Sequence, residues 1–205
     1  MDMQNVTEIS DSRNGVALYG GAFDPVHVGH LRIAELALAV SGIDQVVFIP
    51  AAQSPLKSHG AVASDEERLA MLRLAIAGNS RFVVDDYELK KGGVSYSVET
   101  ARQFKSDEPN RPVYWILGAD QFEQLDRWRS VEQLCGLVVF LVFRRAGHSV
   151  EMPAIDAELQ YELLDAPLLP QSSTEIRRRF ASGDELGSWL TPSVEAFISQ
   201  QELYK

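Results

Sequence analysis

Residues 16–40 most constrain what this chain can fold into. Val16-Ala17-Leu18-Tyr19 is an apolar run, Gly20-Gly21 interrupts it, Asp24-Pro25 turns it, and an amphipathic stretch follows over 31–40. That order predicts strand, tight glycine turn and helix. The turn presents backbone N–H groups and the helix start adds partial positive charge, which suits a polyphosphate. His27 and His30 sit there at i, i+3 spacing, one face of a helix. The chain has only 4 histidines. An imidazole donates a hydrogen bond to a phosphate oxygen, and two at a helix start can follow charge as it develops in phosphoryl or nucleotidyl transfer. Residues 20–30 therefore read as a nucleotide phosphate site.

Strand and helix patterns alternate along the rest of the chain. Val46-Val47-Phe48-Ile49 before Pro50, Phe82-Val83-Val84, Val113-Tyr114-Trp115-Ile116-Leu117 before Gly118, and Glu162-Leu163-Leu164 are predicted strands. The apolar run over 136–143 predicts a central strand covered on both faces. Ser64 with Glu67 is a capping-box pattern opening a helix. Helices are also predicted over 97–104, 173–181 and 193–203. Apolar strands alternating with helices predict an α/β fold, a doubly wound parallel sheet with a small C-terminal helical part. In such sheets ligands bind at the carboxyl ends of the strands, where strand order reverses. The glycine turn and Gly118-Ala119-Asp120 should open on that crevice. Residues 1–14 read as a flexible N-terminal tail and 15–205 as one domain, since no repeat or linker interrupts them.

Charge and cysteine content exclude other classes. A net charge of −10 leaves no broad basic surface for a nucleic-acid duplex. Any phosphate must be held by local donors. No apolar run is long enough to span a membrane, and the polar, acidic start is unlike a signal peptide, so the expected location is cytoplasmic. The single cysteine, Cys135, lies between Leu134 and Leu137 and reads as a buried thiol. A histidine-based metal site would have only His59 and His148 to add, without an HExxH pattern.

Other residues carry a chemical and a plainer reading together. Gln171-Ser172-Ser173-Thr174-Glu175-Ile176 leads into Arg177-Arg178-Arg179, the densest positive cluster. It reads as a second anion site or as a capped helix with a solvated basic face. Lys57 falls in a loop at the crevice mouth. Trp128 is a core anchor or, where the crevice is open, a stacking platform. Ser95 or Ser97 is a candidate N-cap after Gly92-Gly93.

Together these pieces resemble the nucleotidyltransferase superfamily with the HxGH signature, here His27-Val28-Gly29-His30, and its second signature, here Ser172-Ser173-Thr174-Glu175-Ile176-Arg177. The chain is most similar to the bacterial nicotinate-nucleotide adenylyltransferases. The segments selecting that family are Ser95-Tyr96-Ser97 to Thr100 and Gly118-Ala119-Asp120 with Trp128, supported by Arg144-Arg145 and a terminal helix reaching Leu203-Tyr204.

The resemblance implies a Rossmann-like fold and transfer of the adenylyl group of ATP to nicotinate mononucleotide, giving deamido-NAD and pyrophosphate. It implies catalytic roles for His27, His30 and Arg177. ATP would be bound by Gly20, Gly21, Ala22, Phe23, His27, His30, Gly118, Asp120, Ser172, Ser173, Thr174 and Arg177. Nicotinate mononucleotide would be bound by Lys57, Ser95, Tyr96, Ser97 and Trp128. Mg²⁺ would arrive on the ATP phosphates, with no metal cage of the protein's own. The implied partners are ATP and nicotinate mononucleotide, with no nucleic acid and no membrane; a homo-oligomer is left open. Alternatives are another acceptor (nicotinamide mononucleotide or phosphopantetheine) and a non-catalytic ATP sensor of the same fold. The chain departs from the family at Ala51 and Ala52, where asparagine is usual, at Leu56, where histidine is usual, and at Ala146, where proline is usual. Ser97 replaces a threonine.

Overall fold

The computed structural model describes residues 14–55, 60–145, 147–167 and 170–205. Six strands form one sheet: β1 (Gly15–Gly21), β2 (Ile43–Pro50), β3 (Phe82–Val84), β4 (Val113–Gly118), β5 (Val139–Arg145) and β6 (Tyr161–Ala166). Their spatial order is β3-β2-β1-β4-β5-β6, and all neighbours are parallel. Strand order reverses between β1 and β4, so the sheet is doubly wound and the crevice opens at their carboxyl ends.

The helices are α1 (Val28–Ala37), α2 (Asp65–Ile76), α3 (Tyr87–Lys91), α4 (Ser97–Asp107), α5 (Ala119–Phe122), α6 (Val131–Cys135), α7 (Ser173–Ser182) and α8 (Pro192–Gln200), with a 3₁₀ turn at Leu125–Arg127. Successive strand side chains point to opposite faces, and both faces are covered. Ala17, Phe48, Ile116 and Leu141 pack with Ala34 of α1, Met71 of α2, Ile176 of α7 and Ile198 of α8. Leu18, Ile49, Leu117 and Val142 pack with Val98 of α4, Phe122 of α5 and Leu134 of α6. Double coverage explains why these strands read as continuous apolar runs.

Several boundaries differ from expectation. The 136–143 run is not all strand: Leu137 and Val138 donate their N–H groups back to Leu134, and β5 begins at Val139 beside the edge strand β6. It is an interior strand, paired with β4 and β6 and covered on both faces. Helix α1 begins at Val28 and ends at Ala37, short of residue 40. The expected Ser95 or Ser97 cap is not used, because α4 has Tyr96 at its N-cap without a side-chain cap bond. The Ser64–Glu67 capping box is formed, with Glu67 N–H donating to Ser64 Oγ at 3.2 Å and Ser64 N–H to Glu67 Oε2 at 2.7 Å. Cys135 is buried, and burial pushes its thiol pKa up. Among the described residues, no helix is long and apolar enough to cross a membrane.

Candidate active site

The glycine turn leads from β1 into α1, with His27 at the N-cap and His30 in the first turn. The two imidazole rings stack at 3.7 Å with planes 27° apart. His27 N–H donates to His30 Nδ1 at 3.2 Å. With Nδ1 accepting this bond, the His30 ring carries its proton on Nε2. His27 is only 8% exposed, and burial lowers its pKa to about 4, so near neutral pH it is an uncharged donor. Its Nδ1 is buried with no hydrogen-bond partner among the described residues. Gly29 separates the histidines for a steric reason: a Cβ there would lie 2.9 Å from His27 Nδ1 and 3.0 Å from Cε1.

Asp24, inside the turn, is 4% exposed and organises its surroundings. Its carboxylate accepts from Val62 N–H at 2.7 Å, Ala63 N–H at 3.1 Å and the Tyr204 hydroxyl at 2.8 Å. Arg68 is fully buried on α2. It donates to the Ala22 carbonyl at 2.7 Å and to Asp65 at 2.6 Å, fixing the turn from below. Buried charges of this kind persist where they are paired and hydrogen-bonded.

The second signature opens α7. Ser172 Oγ accepts from Glu175 N–H at 3.2 Å, so it is the helix N-cap. Ser173 Oγ donates to the Pro25 carbonyl at 2.9 Å, tying α7 to the glycine turn. Arg177 donates to the Asp24 carbonyl at 2.6 Å and to Thr174 Oγ1 at 3.4 Å. The two readings of this segment divide among its three arginines. Arg178 pairs with Glu175 and Asp184. Arg179 pairs with Glu175 and lies over the Trp189 ring at 4.2 Å. Glu175, the shared partner, is held down to a pKa of about 2 by these two arginines. Of the three, only Arg177 is directed to the histidine turn.

A cavity of about 440 Å³ lies against the other side of the crevice. Gly20, Gly21 and Ala22 form one wall, Ala51 and Ser54 another, and Ser95, Tyr96, Ser97 and Trp128 a third. The wall loops are tied to each other: Ala51 N–H donates to the Gly21 carbonyl at 2.9 Å and Ala52 N–H to Ser95 Oγ at 3.0 Å. Trp128 is half-buried, and its Nε1 has no hydrogen-bond partner among the described residues. The crevice is open at this point, so the ring is a cavity wall and not merely a core anchor. The β1–β4 pairing ends at Leu18–Trp115; beyond it Gly21 pairs with Pro50 of β2 and Gly118 with Phe143 of β5. Asp120 is exposed in the first turn of α5; a Cβ at Gly118 would lie 2.7 Å from its Oδ1. Phe23 is in the core, edge-on to His30 at 5.1 Å. Lys57 and Leu56 lie outside the described residues.

The structure adds site residues that sequence reasoning passed over. Glu88 of α3 lines the cavity and is buried. Thr100 Oγ1 donates to its Oε1 at 2.5 Å, and burial pushes its pKa up against the hydrogen bonds of Thr100 and Ser95. Arg129 also lines the cavity, with its guanidinium 4.4 Å from the Tyr96 ring centroid. Asp24 could have been singled out as the only acid within the signature turn. Glu88 and Arg129 stand in unremarkable charged surroundings and gave no such signal.

Residues 18–179 match the family model described as Cytidylyltransferase-like. A Rhodopirellula baltica protein named "Probable nicotinate-nucleotide adenylyltransferase" is 39% identical over 211 residues, covering 95% of each chain. An Opitutus terrae protein of the same name is 38% identical over 190 residues, covering 93% of this chain and 97% of its own. Among solved structures, Plasmodium falciparum nicotinic acid mononucleotide adenylyltransferase complexed with NaAD superposes with a TM-score of 0.77, covering 93% of this chain and 97% of that one at 20% identity. The same Plasmodium enzyme complexed with APC gives 0.75 at 18% identity over the same shares. Those two likenesses are of fold. With the histidine turn, the α7 signature and the sequence relatives in agreement, the chain belongs to the nicotinate-nucleotide adenylyltransferase family of cytidylyltransferase-like proteins.

Proposed function

We propose that this protein transfers the adenylyl group of ATP to nicotinate mononucleotide, forming deamido-NAD and pyrophosphate in NAD biosynthesis in the cytoplasm. One observation carries the reading. A chamber walled by Tyr96, Ser97 and Trp128 shares Gly20, Gly21 and Ala22 with the turn that bears His27 and His30. A pyridine ring and a triphosphate could therefore occupy adjoining compartments.

The step is an in-line displacement. A 5′-phosphate oxygen of the mononucleotide forms a bond to the ATP α-phosphorus as the bond to the bridging oxygen of pyrophosphate breaks. The nucleophile is already ionised near neutral pH, so no strong general base is required. What the protein supplies is alignment and charge neutralisation. His27, kept neutral by burial, and His30 donate to phosphate oxygens, and Arg177 adds a fixed cation. Ser172, Ser173 and Thr174 act mainly by setting α7 and Arg177 against the turn. Gly118 and Asp120 face the adenosine, with the exposed carboxylate accepting from ribose hydroxyls. Tyr96, Trp128 and the Ser95–Ser97 backbone receive the ring, and Lys57 the acceptor phosphate. Among the described residues no group of His, Cys, Asp or Glu is arranged to hold a metal. Mg²⁺ would come with the triphosphate, held through phosphates and water, and neutralise its charge.

The test is pyrophosphate release from ATP and Mg²⁺ with nicotinate mononucleotide, nicotinamide mononucleotide or phosphopantetheine as acceptor. Release with the first, at a kcat/KM well above the other two, is expected. Release with none would favour a nucleotide sensor, and release with only another acceptor would reassign the substrate.

A further inference from the structure

Arg177 lies beside a carboxylate yet is not consumed by it. Its Nη1 is 3.6 Å from Asp24 Oδ2, too long for a hydrogen bond, while the same nitrogen donates to the Asp24 backbone carbonyl at 2.6 Å. The Asp24 carboxylate is satisfied by other donors: Val62 N–H on Oδ2, and Ala63 N–H with the Tyr204 hydroxyl on Oδ1. Of these, the Tyr204 hydroxyl is the only side-chain donor. Tyr204 is 8% exposed and follows α8, in a backbone conformation with φ of 64° that L residues seldom adopt. Leu203 N–H donates to the Ile198 carbonyl at 3.0 Å, closing the turn that delivers the ring. The ring sits 6.3 Å from Phe180, on the same helix as Arg177.

We propose that Tyr204 is a positioning residue for adenylyl transfer: by occupying Asp24 it keeps the Arg177 guanidinium available to ATP phosphate instead of collapsing onto the Asp24 carboxylate. The proposal rests on Arg177 as an ATP-phosphate ligand. An underpaired buried carboxylate draws the nearest cation, and here that cation is Arg177, whose side chain is 27% exposed and so still reachable by a ligand. The region after α8 thereby acts on the phosphate site without touching substrate.

The experiment is a double-mutant cycle on the full chain, with Tyr204→Phe, Arg177→Ala and both together. KM for ATP, KM for the acceptor, kcat and thermal midpoint are measured for each. Tyr204→Phe should raise KM for ATP about fivefold to tenfold, the size expected when one buried hydrogen bond is lost, with KM for the acceptor unchanged. In the Arg177→Ala background it should have no further effect on ATP, the non-additivity expected of two groups acting through one interaction. Tyr204→His, which retains a donor, should recover part of the loss, and Tyr204→Leu, which also lacks one, replaces Tyr204→Phe in the cycle should that variant not fold. An equal ATP effect in both backgrounds, or a fall in thermal midpoint with ATP KM unchanged, would overturn the role of Tyr204. Arg177→Ala with unchanged ATP KM and kcat would instead overturn the reading of Arg177 itself.

Discussion

His27 and His30 are coupled twice, by ring stacking at 3.7 Å and by the bond from His27 N–H to His30 Nδ1. That bond requires an unprotonated Nδ1 on His30 and so places the ring proton on Nε2. The pair is a preorganised donor set before any nucleotide arrives.

His30→Ala should therefore lower kcat far more than it weakens ATP binding. Loss of one oriented transition-state donor typically costs ~3–4 kcal/mol, roughly a hundredfold to a thousandfold in kcat. Single-turnover rates beside an ATP titration of the same variant separate the two. A kcat close to that of the unmodified protein would remove His30 from the chemistry.

The stability of the fold should depend on pH through His27. Its folded pKa, about 4, lies below the ordinary value of 6.5 because it is buried. Between those values the unfolded chain takes up a proton that the folded chain refuses. The contribution is thus fully present above pH 6.5 and lost as pH falls toward about 4. It amounts to ~3 kcal/mol across that interval. Denaturant unfolding across this range should show a shallower loss of stability for His27→Gln. Parallel curves for the two proteins would contradict the assignment.

Gly29→Ala should damage activity more than the added methyl suggests. The new Cβ would press on the His27 ring at 2.9 Å and 3.0 Å, and that ring cannot move without disturbing its stack on His30. Overpacking of this kind costs about 1–3 kcal/mol. A lowered thermal midpoint together with a fall in kcat is expected. Unchanged kinetics would mean that the ring relocates freely.

Neutralising Arg178 should leave ATP handling intact, because its charge is already engaged by Glu175 and Asp184. Arg178→Ala is expected to change KM for ATP less than twofold and to leave stability nearly unchanged, because solvent screens exposed pairs of this type. A large rise in ATP KM would extend the phosphate site beyond Arg177.

The inner strands were legible because they are covered on both faces, which leaves Leu18, Ile49 and Val142 in runs without polar interruption. The glycine turn was legible because its glycines, Asp24-Pro25 and paired histidines have few other uses at that spacing. Helices α3, α5 and α6 were not. Each has only four or five residues, too few to carry a period; α5 and α6 are held by Phe122 and Leu134 in the core, and α3 by the buried Glu88 bonded to Thr100. The arginine cluster stayed between its two readings because charge density along the chain says nothing about which guanidinium finds a carboxylate first. Arg68 eluded notice since a charged residue on an otherwise apolar helix face reads as solvated until its partners, Ala22 and Asp65, are brought beneath it. Lys57 stays an expectation, since it lies outside the described residues.

The carboxyl edge of the sheet separates two chemical jobs onto different strands. The reactive turn hangs from β1, whereas Ala51 and Ala52 follow β2, and the Ser95–Ser97 loop follows β3 and α3. Substitution at the tips of β2 and β3 can thus redraw the acceptor chamber while the phosphate machinery on β1 and α7 keeps its shape. Ala51 and Ala52 join the chamber through backbone N–H groups bonded to Gly21 and Ser95, contacts that any residue except proline could make. Side-chain changes at Ala51 and Ala52 would consequently resurface this side of the crevice while the backbone ties to the histidine turn stay in place.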